Sequence, residues 1–270
     1  MVEAMRALFL GAVQGLTEFF PVSSSGHLIL FPTLFHWADQ GLAFDTVLHL
    51  GTLAALIWFF RNDLLSLAHN GMRFGASGAR ARSFCLRVCV AALPALAAGY
   101  VFFAVIERWI RNTWLVAFDL AFWAIILFVA DRFSSSQRPA SPIADDLSVT
   151  WVQAIVVGLV QPIALLPGTS RSGITMTAGL FTGLSREAAA RFSFFVSIPV
   201  TAAAGGYGLY RMTRQGIDGD AILPLFAGFF AAAVTGAFAI RFLLTYVSKH
   251  RFDPFVFYRL ALALAVLLLV

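Results

Sequence analysis

Six stretches of this chain stay apolar for about the 20 residues a helix needs to cross a bilayer: Phe44 to Phe60, Phe84 to Ile106, Trp114 to Ala130, Phe192 to Tyr210, Ala221 to Leu244 and Phe255 to Val270. Such a chain has lipid as its solvent, where every backbone N–H and C=O must be bonded inside the protein, as helix or closed barrel. Long uninterrupted runs select helices. Composition agrees: 60% of the 270 residues are hydrophobic and 12% charged, where a soluble domain carries about a quarter charged residues. Met1 to Phe20 carries Glu3, Arg6 and Glu18 and lacks a basic leader with a small-residue cleavage site, so it reads as retained. The formal charge is +5, but Lys and Arg lie between the apolar runs and report topology, not nucleic-acid binding. Cys85 and Cys89, four apart in one run, are expected only to pack.

Two further segments, Leu8 to Phe31 and Val152 to Phe181, are too polar and too broken to cross. Each reads as an apolar helix, a Pro/Ser/Gly break and a second short helix. The first contains GAVQGLTEFFPVSSSGHLIL (Gly11 to Leu30) and the second GLVQPIALLPGTSRSGITMT (Gly158 to Thr177), and both run Gly-x-x-Gln, apolar residues, Pro, a Ser/Thr cluster and Gly. A further likeness joins Arg87, Pro94 and Gly99 to Arg191, Pro199 and Gly205. Broken segments at matching places in a duplicated chain point to a midplane site built from discontinuous helices. The expected fold is therefore an all-α polytopic membrane protein, six transmembrane helices plus two re-entrant helix hairpins. It forms a single membrane domain over 1–270, with repeat one at about 1–110 (hairpin 3–36) and repeat two at about 111–270 (hairpin 150–184).

Charge sets the orientation. Arg61, Arg73, Arg80, Arg82, Arg87, Arg132, Arg138, Arg186, Arg191, Lys249 and Arg251 fall on one face, against Arg6, Arg108, Arg111, Arg211 and Arg214 on the other. The richer face is expected to be cytoplasmic. One hairpin then enters from each side, so the repeats are inverted and both termini lie outside.

The chemistry concentrates in the two breaks. A carboxylate at membrane depth costs several kcal/mol and marks function by default, and Glu18 lies a few residues from Ser23, Ser24, Ser25 and His27. Metal binding or proton transfer would account for it. The serines can also simply cap a helix, whose N-terminus attracts anions; His27 can act as nucleophile, acid or base near neutral pH. In the second break, Arg171 offers a permanent charge and a planar donor fork among Gly168, Thr169, Ser170, Ser172 and Gly173, a set suited to phosphate. An Arg171–Glu18 pair kept only for structure is the plainer alternative, although buried pairs stabilise weakly. Gln14 and Gln161 sit at matching positions and can bind a ligand, each other or a neighbouring helix. His49 is expected to pack or to support the site.

With QGLTEFFPVSSSGH (Gln14 to His27) and PGTSRSG (Pro167 to Gly173) in order within one apolar chain, the sequence closely resembles the bacterial undecaprenyl-diphosphate phosphatase, or bacitracin-resistance, family over nearly its whole length. The resemblance implies the same six-span, two-hairpin fold in the bacterial inner membrane. It implies removal of the terminal phosphate of a polyprenyl diphosphate lipid with a divalent cation, Mg²⁺ or Ca²⁺. Its functional residues fall on Glu18, Ser24, His27 and Arg171, with Ser170 and Ser172 lining the phosphate site. Many members carry a second Glu one turn before Glu18, where this chain has Gln14, which leaves Glu18 as the main acidic group and metal ligand.

The expected site opens to the outer face, its partners being the substrate lipid, membrane lipids and, as an open case, a second copy of the chain. Gln14, Ser23, Ser25, Gly168, Thr169, Ser170, Ser172 and Gly173 are expected to line it. Ser24, His27 and a Glu18-activated water all remain candidate nucleophiles. A transporter or lipid flippase is the competing class, because broken helices in inverted repeats are also transporter architecture; one protein doing both is a third.

Overall fold

Proline and glycine decide where the helices of this protein stop. The computed structural model describes residues 1–38, 40–109, 113–133, 149–216 and 219–269; the charges of Arg108, Arg111 and Arg138 and the last residue of the sixth apolar run fall outside that description. Among the described residues the regular structure is helical throughout. Helix α1 (Val2–Phe19) ends before Pro21: Phe20 is extended with ψ 144°, as the residue preceding a proline prefers. Helix α2 (Ser24–Leu34) follows four residues later. After α3 (Gly41–Phe59) the chain bends by 67° into α4 (Arg61–Gly71), which carries Arg61, Asp63 and His69. Helices α5 (Ala76–Trp109) and α6 (Thr113–Phe133) complete the first half.

The second half repeats the broken pattern. Helix α7 (Trp151–Val160) opens with a reciprocal capping box between Thr150 and Gln153 and passes into a 3₁₀ turn at Gln161–Leu165. Helix α8 (Arg171–Phe181) follows the Pro167-Gly168 break, and α9 (Arg186–Gln215), α10 (Gly219–Val247) and α11 (Asp253–Leu269) end the chain. Among the described residues four helices, α5, α6, α9 and α10, are long and apolar enough to cross a membrane, or five if the bent α3–α4 pair counts as one span. Many large apolar side chains of α10, among them Phe226, Phe230, Val234 and Phe238, face outward, as the exterior of a helical membrane protein requires. Cys85 and Cys89 are also exposed, on α5. They do not pack in the core, because their positions fall on the outward side of that helix.

Helix α1 packs on α10, and α7 on α5. Small residues make the first contact close: a Cβ on Gly15 would sit 2.5 Å from the Ala232 carbonyl oxygen, the kind of approach small residues permit between membrane helices. Helices α3 and α9 pack on each other, as do α6 and α11. The two breaks meet at the centre of this arrangement, joined by direct bonds from one to the other.

Candidate active site

Each break is closed by a serine in a backbone conformation that serine rarely adopts. Ser23 has φ 72° and ψ 91°, and Ser170 has φ 73° and ψ 111°. Each precedes a helix, and each side chain accepts from the third residue onward, Ser23 from the Gly26 N–H and Ser170 from the Gly173 N–H. The equivalent serines of the two sequence motifs thus do the same mechanical job. Positive φ without glycine costs on the order of 1–3 kcal/mol and persists only where surroundings impose it, typically at functional sites. Gly168, at φ 98°, leaves the approach to α6 open: a Cβ there would meet the Val116 carbonyl oxygen at 2.6 Å.

Glu18 stands at the junction. It sits in the last turn of α1, buried, with its carboxylate shared among three elements. Oε1 accepts from Arg171 Nη2 at 2.5 Å, while Oε2 accepts from Ser24 Oγ at 2.5 Å and from Gln14 Nε2 at 3.0 Å. His49 on α3 brings Nε2 to 3.6 Å from Oε2 and is anchored through Nδ1 on the Asp45 carbonyl at 2.7 Å, a supporting position. The breaks also touch directly: Gly168 N–H donates to Ser23 Oγ at 3.2 Å and Ser172 Oγ to the Phe20 carbonyl at 3.0 Å.

Most of the remaining hydroxyls have structural duties. Thr169 Oγ1 donates to Asp119 on α6 at 3.3 Å, Ser170 and Ser172 share a contact of 3.2 Å, and Ser25 lies 3.4 Å from Ser23. Gln161 is not beside Gln14; its Nε2 donates to the Ala91 carbonyl on α5, so the matched glutamines part, one to the site and one to helix packing. Arg171 Nη1 and Gln14 Oε1 are buried without a partner. An unsatisfied buried polar group costs about 1–3 kcal/mol, and these two belong to side chains that bond Glu18 through their other nitrogen or amide atom. The serine caps leave the N–H groups of Ser24, Ser25, Arg171 and Ser172 among the unpaired donors that open any helix.

His27 is placed differently from a base for Ser24. Its Nδ1 faces the Ser23 carbonyl at 2.7 Å and its Nε2 faces the Tyr258 hydroxyl at 2.7 Å. A carbonyl only accepts, so Nδ1 carries the proton and a neutral ring receives its second bond from Tyr258. Both nitrogens are occupied away from Ser24, whose hydroxyl donates to Glu18 instead.

The model of the family described as Bacitracin resistance protein BacA matches residues 7–265. The chain belongs to that family. It is 42% identical to an undecaprenyl-diphosphatase of Rubrobacter xylanophilus over 270 residues, 97% of either chain. It is 41% identical over 272 residues to one of Geobacter metallireducens, covering 100% of this chain and 99% of the relative. A third, from Idiomarina loihiensis, is 40% identical with 99% of both chains covered.

In this BacA-family chain three site neighbours escape motif reading, Asp119, Tyr258 and Arg259, while His49 takes the supporting place expected of it. A signal existed for two of them. Asp119 and Arg259 are charges inside apolar runs, and the rule that singles out Glu18 applies to them equally. A metal finds a sparse donor set. Among the described residues no group of three or more His, Cys, Asp or Glu side chains gathers around one point. Gln14 nevertheless bonds Glu18 Oε2 through its Nε2, and its Oε1 is buried without a partner. Such a pair fits a hard cation that draws its other ligands from phosphate and water.

Proposed function

We propose that this chain is an undecaprenyl-diphosphate phosphatase that converts the lipid diphosphate to the monophosphate, and that the Glu18–Ser24–Arg171 cluster is its catalytic centre. The observation that carries the reading is the Glu18 carboxylate, bonded at once to a hydroxyl of one break and a guanidinium of the other. Undecaprenyl-diphosphatase is also the name of relatives near 40% identity over the whole chain.

The mechanism follows from which atoms are already engaged. Arg171 is held by Glu18 through Nη2 and keeps Nη1 for a phosphate oxygen, a two-sided use that suits a planar fork. The N-termini of α2 and α8 add backbone donors and the positive ends of two helix dipoles. Preorganised donors of this kind stabilise the charge that develops on phosphoryl oxygens. Ser24 Oγ attacks the terminal phosphorus, its proton passes to Glu18 Oε2, and the bond to the bridging oxygen breaks, releasing the lipid monophosphate. Glu18 passes that proton to the departing monophosphate; water then attacks the phosphoserine and gives a proton to the freed Glu18 carboxylate, which returns it to Ser24 Oγ as the serine–phosphorus bond breaks and inorganic phosphate leaves. His27 and Tyr258 fix the wall of the first break and take no proton in this scheme. Glu18 and Gln14 would hold a Mg²⁺ or Ca²⁺, which neutralises phosphate charge when bound.

We further read the architecture as six spans and two re-entrant hairpins in inverted repeat. Exchanging α1 with α7, α3 with α9, and α5 with α10 turns the α1–α10 contact into α7–α5 and the α3–α10 contact into α9–α5, all four of which occur. The α3–α9 pairing maps onto itself, as a pseudo-twofold axis between the halves requires. This correspondence favours a repeat boundary after α6. The matched Ser23 and Ser170 conformations support the same pairing. The polyprenyl tail stays in lipid while the diphosphate enters from the outer face of the bacterial inner membrane.

The test is phosphate release from undecaprenyl diphosphate by purified protein, with and without EDTA, for wild type, Glu18→Ala and Arg171→Ala, with rapid acid quench to trap phosphoserine. Turnover that stops in both variants and with EDTA, and label that disappears in Ser24→Ala, is the expected outcome. Full activity in either alanine variant removes that residue from the mechanism, and turnover without trapped label favours direct attack by water.

A further inference from the structure

Among the described residues the largest fully buried side chain is a cation. Arg259, on α11, is 0% exposed, and it lies against both breaks. Its guanidinium donates only to main-chain carbonyls: Nε to Leu120 at 3.1 Å, Nη1 to Pro21 at 3.2 Å, and Nη2 to Asp119 at 3.3 Å, Gly168 at 2.9 Å and Thr169 at 3.0 Å. Those oxygens come from three separate elements: the first break, the second break and α6.

Filling this space would not need a charge. Burying a guanidinium is costly unless its donors are matched, and an apolar side chain of similar volume is often the more stable occupant of such a place. What an apolar residue cannot supply is a rigid planar fork that spans carbonyls of three chain segments. The fork fixes the spacing of Pro21 from Gly168 and Thr169, and with it the spacing of the residues that follow, Ser24 in one break and Arg171 in the other. It also fixes an orientation. In a trans peptide the carbonyl and the next N–H point in opposite directions. Holding the Thr169 oxygen on Arg259 therefore turns the Ser170 N–H away from the guanidinium. The room is tight, since a Cβ on Gly173 would lie 3.0 Å from Arg259 Nη1, so the fork has little freedom to shift.

We propose that Arg259 is a positioning residue for phosphate cleavage: without touching substrate, it straps the two breaks together and holds the nucleophile and the phosphate-binding arginine in register. The inference rests on the phosphatase reading above. A misplacement of about 1 Å at a reacting centre can cost about 100-fold in rate. Loss of the strap should therefore fall on turnover, while binding through Arg171 and the helix N-termini is largely kept.

The experiment compares wild type, Arg259→Met and Arg259→Lys, purified in detergent, by kcat and KM for undecaprenyl diphosphate and by thermal unfolding. Arg259→Met is expected to lose roughly 100-fold in kcat with KM changed by less than about threefold. Arg259→Lys keeps the charge but offers one compact ammonium, so it should stay folded and recover at most a small part of the loss. Ser172→Ala, which removes another tie between the breaks, completes a double-variant cycle with Arg259→Lys. Groups holding one geometry give non-additive losses, whereas independent destabilisations add. Near-wild-type kcat in the lysine variant, strict additivity, or aggregation of both Arg259 variants would overturn the proposal, the last by showing a purely structural residue. Absence of phosphate release by wild type would instead sink the enzymatic reading. Wild-type turnover with a dead Arg171→Ala and an active Arg259→Met would sink the strap alone.

Discussion

Arg171 spends one terminal nitrogen on the protein and leaves the other unbonded, with Nη2 on Glu18 and Nη1 buried but unpaired. In the proposed mechanism no other cation could serve both the carboxylate and the phosphate, because an ammonium has no rigid fork. Arg171→Lys, though conservative in charge, should therefore behave like the alanine variant, with kcat/KM down roughly 100-fold or more, the scale of losing one preorganised donor to a developing anion. Steady-state assay of phosphate release checks this, and a lysine variant within about threefold of wild type would show that charge suffices and the fork does not matter. Glu18, which organises the arginine, has its own supports in Gln14 and His49.

At the scale of helices and breaks, the sharpest expectation concerns the capping serines. Ser170 pairs an unfavourable φ of 73° with a cap to the Gly173 N–H. Ser170→Gly loses the bond but relaxes the backbone, and capping scales put Gly only a few tenths of a kcal/mol below Ser. Ser170→Ala keeps the strain and loses the cap, so it should be less stable by about 1–2 kcal/mol. Thermal unfolding resolves the difference, and an alanine variant as stable as the glycine one would mean that the positive φ carries no strain. How far these elements could be read from sequence depends on what signals them. Apolar length marks α3, α5, α6, α9, α10 and α11, and Pro21 and Pro167 mark the breaks. The 67° turn from α3 into α4 left no such mark, because Phe60 and Arg61 are neither breakers nor caps. The Arg87-Pro94 and Arg191-Pro199 likeness joins α5 and α9, which pack against each other. Under the helix exchange inferred above, those two are not counterparts. Glu18 and Arg171 were legible because a charge in a broken apolar segment has few structural uses. Tyr258 was not, since a tyrosine near lipid is ordinary until the fold carries it 231 positions back to His27.

For the molecule as a whole, the apolar exterior and polar centre leave one property undecided by packing, namely which side the site faces. The four to five helices able to cross, and the two breaks that meet between them, look alike from either leaflet. Charge breaks the tie. The α4 segment and its flanks carry Arg61, Arg73, Arg80 and Arg82, and in the six-span reading proposed above Arg132, Arg186, Lys249 and Arg251 join them on one side. Basic loops stay cytoplasmic because short loops rich in Lys and Arg are poorly translocated. In a cysteine-free Cys85→Ala/Cys89→Ala background, an impermeant maleimide should label Gln40→Cys, before α3, in intact spheroplasts. It should reach Asn70→Cys, near the end of α4, only after lysis. That pattern places the Glu18 break on the outer side and both termini with it. The reverse pattern would leave the cluster of Glu18, Ser24 and Arg171 intact but would turn its entrance to the cytoplasm. The substrate pool it could reach would then be that of the inner leaflet.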